Sequence, residues 1–160
     1  MIRKIFTIIL SFVLILLCGC SQETKFGVEQ FTARMNGQFD YSLKTSDFIL
    51  AVDENGKNHL FLEKDDYLIT LSLDANNNID GVALLFTNEK TLSESLNIFC
   101  HMCSIFTGSN YSEQKAQIEG CHITESEIKF ADSSMVTTIG KYKYSTICNE
   151  FSVTLFCDKI

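Results

Sequence analysis

Between Ser46 and Phe86 the chain reads SDFILAVDENGKNHLFLEKDDYLITLSLDANNNIDGVALLF, four short apolar runs each cut off by Asp, Asn or Gly. Nothing else in the sequence narrows the fold so far. Runs of about 4–8 residues rich in β-branched and aromatic side chains, bounded by turn formers, read as strands. The separators are too short to carry a crossover, so neighbouring strands run antiparallel as a meander. The expected strands are 47–53, 58–63, 67–73 and 79–86. Asn55-Gly56 predicts a type I′ hairpin turn, in which both central residues need positive φ. Asp65-Asp66 supplies the second turn, and Asp74 through Asn78 the third. In the third run Tyr67, Ile69, Leu71 and Leu73 alternate with Leu68, Thr70 and Ser72, so one face is set for burial.

Helical spacing brackets the meander. Val28, Phe31 and Met35 recur at intervals of three and four, which predicts a helix over 27–38. In TLSESLNIFCHMCSIFTG, Leu92, Leu96, Phe99, Cys103 and Phe106 form one apolar stripe. Thr91 and Glu94 have the spacing of a capping box, and Gly108 stands where such a helix ends. A shorter helix follows over 111–119, with Asn110 as N-cap and Gly120 after it. The tail from Ser133 returns to strand pattern, with Tyr142 and Tyr144 on one face and Phe151, Val153 and Leu155 on another. This order predicts an α+β fold: an antiparallel sheet, made of a four-stranded meander plus a C-terminal hairpin, with helices packed on one face. The order also divides into two halves, helix first and strands after, although no sequence repeat relates them. No low-complexity stretch divides residues 26–160, which read as a single globular domain.

The first residues are of a different kind. Met1-Ile2-Arg3-Lys4 is positive, and from Ile5 to Leu17 only Thr7 and Ser11 are not apolar. That run is shorter than the roughly 20 residues a membrane-spanning helix needs, and it has the layout of a secretory signal. Leu17-Cys18-Gly19-Cys20 then resembles the lipobox of bacterial lipoproteins, with Leu17 three before Cys20 and small Gly19 directly before it. Cys18 does not fit, because Leu17 is too large for the position before the modified cysteine. The resemblance implies cleavage between Gly19 and Cys20, a signal peptide over 1–19, and a diacylglyceryl group on the Cys20 sulfur. Residues 20–25 then form a short tether, and two acyl chains suffice for stable anchoring. The expected place is the extracytoplasmic face of the cell membrane. The layout of the rest, a helix, a β-meander, a central helix pair and a closing hairpin, resembles small bacterial α+β lipoproteins; that likeness brings no activity with it.

Loss of the signal leaves 11 basic against 20 acidic side chains, a net charge near −9. That sign argues against nucleic acid as a partner and against flat adhesion to anionic lipid. Beyond Cys20 the chain holds Cys100, Cys103, Cys121, Cys148 and Cys157, an odd number that leaves at least one unpaired or pairing between molecules.

Three patterns invite chemistry. Cys100-His101-Met102-Cys103, with Cys121-His122 downstream, has the residue types of a thiol-redox or metal-binding site. On a helix, however, His101 lies about 160° round from Cys103. Cys100 also lies far from the helix N-terminus, where amide dipoles lower a thiol pKa. Core-facing cysteines and a surface histidine are the expectation, with a disulfide from Cys100 or Cys103 to Cys121 left open. Asp74-Ala-Asn76-Asn-Asn78-Ile-Asp80-Gly81 starts like a calcium loop. An EF-hand needs Gly at its sixth position and Glu at its twelfth; here stand Ile79 and Leu85, so a polar hairpin loop is expected. Third, Tyr142 and Tyr144 interleave with Lys141 and Lys143 in a mixed aromatic and basic stripe, the candidate binding residues. There is no Gly-x-Ser-x-Gly elbow, no His-Glu-x-x-His and no phosphate-cradling glycine loop, and His59, His101 and His122 fall in separate elements. The sequence therefore predicts a lipid-anchored, non-catalytic binding module without cofactor or metal, whose partner is a protein or a small molecule. The alternative is a thiol-redox or metal-binding envelope protein using Cys100, Cys103 and Cys121.

Overall fold

Alternation along the meander sends every second side chain to one side, and the helices cover that side. The computed structural model describes residues 26–64 and 66–160. The signal peptide, with Gly19, and the whole tether, with Cys20, therefore lie outside the described residues, as does Asp65 of the second turn. The chain is α+β, with three α-helices and a seven-stranded antiparallel sheet among the described residues. Helix α1 spans Val28–Phe39, and strands β1 to β4 span Ile49–Val52, Asn58–Lys64, Tyr67–Leu73 and Ile79–Phe86. Helices α2 (Leu92–Thr107) and α3 (Tyr111–Gly120) follow, then strands β5 (Ser133–Ile139), β6 (Tyr142–Cys148) and β7 (Val153–Lys159).

The strand order is β1-β2-β3-β4-β7-β6-β5. The meander is followed by the β5–β6 hairpin, and β7 pairs with both β6 and β4. Each half thus runs helix first, then strands, and delivers its last strand to the middle of the sheet. Leu84 and Leu155 face each other across that central pair, both fully buried. With Ile69, Leu71, Phe86 and Val153 they meet Phe31 and Met35 of α1 and Phe99, Met102 and Cys103 of α2 in one continuous core.

Several local signals play out differently from expectation. The Asn55-Gly56 hairpin forms, but Gly56 is its only residue with positive φ, at 80°. Asp53 N–H donates to Lys57 O and Gly56 N–H to Asp53 O, a type I turn closed by a left-handed glycine rather than type I′. The cause is Asp53, whose Oδ1 accepts from the backbone N–H groups of Asn55 and Lys57, both at 2.9 Å, and turns the chain one residue early. The Asp74 loop repeats this device, with Oδ1 accepting from Asn76 and Asn78, both at 2.8 Å, and Asn77 at φ 60°. The calcium-like spacing is a turn of the same build.

The capping box at Thr91 and Glu94 does not form. A 3-10 turn over Glu89–Thr91 precedes α2, capped by Asn88 accepting from Lys90 N–H, and the Thr91 hydroxyl donates back to Asn88 O at 2.8 Å. Gly108 (φ 76°) and Asn110 act as expected. Helix α3 runs through Gly120, and the left-handed position falls on His122 at φ 60°. There His122 N–H bonds Glu119 O and Ile123 N–H bonds Ile118 O, a Schellman ending with both isoleucines buried. Phe151 is not in a strand. Asn149 Oδ1 gathers the N–H groups of Phe151 and Ser152 into the β6–β7 turn, leaving Phe151 79% exposed.

Candidate functional site

The aromatic and basic stripe is divided by the fold. Tyr142 and Tyr144 do share a face, but it is the helix-covered one. Tyr144 is 1% exposed, and its hydroxyl accepts from Gln114 Nε2 at 2.9 Å. It joins α3 to β6 as a core residue and offers no surface to a partner; burial pushes its phenol pKa up. Lys143 points to the opposite face and meets Asp158 at 3.8 Å. Tyr142 and Lys141 go elsewhere.

They line a cleft of about 580 Å³ at the end of the sheet. Five segments build it. Phe26 and α1 contribute one wall, where Arg34 lies 5.3 Å over the Phe26 ring. The C-terminal end of α2 adds Phe106, edge-on to Tyr142 with ring centroids 5.4 Å apart. The Tyr142 hydroxyl donates to Thr107 O at 3.5 Å, which holds the ring against that helix end. The Asp74 loop adds Asp74, Asn78 and Asp80, and Lys141 and Lys159 close the rim. Lys141 Nζ stands 5.5 Å from the Tyr142 ring centroid. The carbonyl of Phe26 accepts from Ile79 N–H at 2.8 Å, fastening the start of the domain to the first residue of β4 beside the cleft.

The carboxylates here are already engaged. Asp74 Oδ1 takes two backbone N–H groups and its Oδ2 takes Asn78 Nδ2 at 3.1 Å, contacts that hold the acid below its ordinary pKa, the Asn78 side chain first. Asp80 Oδ2 pairs with Lys57 at 3.0 Å. Arg34, Lys141 and Lys159 form no ion pair with any described carboxylate.

A second hollow of about 610 Å³ lies between α2 and α3, lined by Glu94, Cys100, Lys115 and Glu119 among others. Size does not separate the two. Charge does, because here Lys115 faces Glu119 at 4.0 Å and further acids flank it.

All five described cysteines are free thiols and all are buried. Cys103 and Cys157 share a hydrogen bond where α2 lies on β7, and burial pushes the Cys103 pKa well up. Burial likewise pushes Cys100 up to about 11. The thiolate is the form that attacks and binds metal, so these surroundings oppose both chemistries. Among the described residues no group of three or more His, Cys, Asp and Glu side chains is placed to hold a metal ion. His101 has other partners than the thiols. It stacks on Phe39 at 3.8 Å, touches Tyr111 at 4.8 Å, and its Nδ1 lies 3.1 Å from the Tyr41 hydroxyl. His122 meets Glu127 at 2.6 Å on the surface. His59 links Asp53 (3.2 Å) to Ser72 (3.1 Å), a Ser–His–Asp order made by cross-strand neighbours, since His59 sits directly opposite Ser72 in the β2–β3 register.

Fold and cleft together define a helix-on-sheet α+β domain with one basic, aromatic-lined hollow beside its N-terminal end. Comparison with known protein families, curated proteins and solved structures finds no match. Among the described residues no helix is long and apolar enough to cross a membrane.

Proposed function

We propose that the chain is a lipid-anchored envelope protein, held through Cys20, and that it acts as a non-catalytic binding module whose ligand sits in the cleft around Tyr142. The observation that carries this reading is the cleft itself, with aromatic walls at Phe26, Phe106 and Tyr142 and a volume in the range of small-molecule sites. The lipobox residues support the anchor, and Phe26 beside the cleft supports a site close to the membrane.

The protein isolated from the cells that make it tests both parts. Mass spectrometry should give an N-terminal peptide starting at Cys20 with a diacylglyceryl mass, and native mass spectrometry a retained small molecule that Tyr142→Ala loses. An unmodified, freely diffusing chain would remove the anchor; identical spectra for the parent and Tyr142→Ala would remove the cleft. A thiol reagent separates this reading from a thiol-active one. Cys100, Cys103, Cys121, Cys148 and Cys157 should stay unreactive in the folded protein and all react after denaturation, because every one is buried.

A further inference from the structure

The charge balance around Tyr142 runs against that of the whole protein. Among the described residues, three of the ten Lys and Arg side chains, Lys57, Lys115 and Lys143, form ion pairs within 4.0 Å. Arg34, Lys141 and Lys159 form none, like several other lysines, but these three come from separate parts of the chain and converge on one cleft, where Lys159 also acts on the Asp74 carboxylate. Two of them lie over aromatic rings, which leaves their N–H groups without an anionic acceptor. The two acids of the cleft offset them only in part: Asp80 is matched by Lys57, and Asp74, hydrogen-bonded within its own loop, keeps its charge and is stabilised by Lys159.

Resting on the reading of the cleft as a binding site, we infer that its ligand is a small organic anion, a phosphate or carboxylate on a short apolar body. The anion is held by Arg34, Lys141 and Lys159 while the body packs on Tyr142, Phe106 and Phe26. Arg34 supplies a planar fork of donors that fits two oxygens of such a group at once, and the lysines add point charges at the rim. Asn78 and Asp80 each keep one buried side-chain oxygen without a partner, so a hydroxyl on the body finds acceptors along the same wall. Two sources carry this chemistry: a free organic anion, or the headgroup of a phospholipid. The second enters because Phe26 stands six residues after Cys20.

The test uses the acylated protein in phosphatidylcholine nanodiscs, titrated by calorimetry with phenyl phosphate, benzoate and benzylamine. The inference expects saturable binding of phenyl phosphate or benzoate, none of benzylamine, and weakening as salt rises. Arg34→Gln, Lys141→Gln and Lys159→Gln should each weaken the anion about tenfold, as loss of a charged hydrogen bond does, with circular dichroism and Tm unchanged. Competition by phosphatidylglycerol added to the nanodisc would support the inference with the headgroup as source, and unaltered affinity would support it with the free anion. Benzylamine binding in place of the anions would overturn it while leaving the Tyr142 cleft as the binding site. Binding of no probe, or equal anion binding by the parent and the triple variant, would also overturn it, and the native mass spectrum then judges the cleft separately.

Discussion

His122 holds a left-handed backbone, φ 60°, at the position after a helix where glycine is the ordinary occupant. An L side chain there costs about 1–2 kcal/mol, part of which glycine gives back through its greater freedom when unfolded. His122→Gly should therefore raise stability by about 0.5–1 kcal/mol, read as a higher urea midpoint at unchanged m. The His122–Glu127 contact it removes is exposed and adds little. Asp53 and Asp74 make the opposite kind of contribution. Both carboxyls are held below their ordinary pKa, Asp53 chiefly by the Lys57 N–H and Asp74 chiefly by the Asn78 side chain. A depressed folded pKa gives stability that is complete above the unfolded value, about 3.9, and is lost as pH falls through the folded one. The urea midpoint should fall as pH drops below about 4, and Asp53→Asn with Asp74→Asn should flatten that fall.

Among the elements, the junction of α1, α2 and α3 depends on one ring. His101 of α2 lies between Phe39 and Tyr111, and burial lowers its pKa. Its Tyr41 partner is pushed up to about 12, by burial first and then by Tyr67, Glu94 and Tyr111. The neutral imidazole is the form that fits, so stability is complete above about pH 6.5 and declines as pH falls through the folded value. His101→Phe keeps the stack and should abolish the part of the pH dependence that sets in below about pH 6.5 in urea denaturation. The same junction shows what a sequence can display. Strands 67–73 and 79–86 were legible to the residue because apolar alternation and Asp/Asn clusters act locally. The departures were local competitions as well: Asp53 captured amides that a type I′ turn would have left free, and Asn88 began a 3-10 turn ahead of Thr91. Alternation put Tyr142 and Tyr144 on one face without saying that the helices cover it. The cleft was less legible still. Arg34, Lys141 and Lys159 are single cations far apart in the chain, and only the fold brings them to one cleft.

At the scale of the whole molecule, both halves end in the middle of the sheet, so the two strands with the most apolar cover depend on each other. Leu84 is opposite Leu155, and both are sealed by α2. Leu84→Ala should cost about 2–5 kcal/mol, a large share of the roughly 5–15 kcal/mol that holds a domain together. Far-ultraviolet circular dichroism and tyrosine fluorescence should lose their signals in one coincident urea transition, because no part of the core belongs to one half alone.

The bond from Ile79 N–H to the carbonyl of Phe26 also decides where a leash attaches. Six residues span Cys20 to Phe26, no more than about 20 Å fully stretched. With Cys20 acylated, the body pivots over a patch of bilayer scarcely broader than itself, and a tug on the lipid reaches the central strand instead of peeling the sheet from its rim. On the proposed anchoring, encounters between two such molecules would take place by lateral drift in two dimensions, with Phe26 held within about 20 Å of the bilayer.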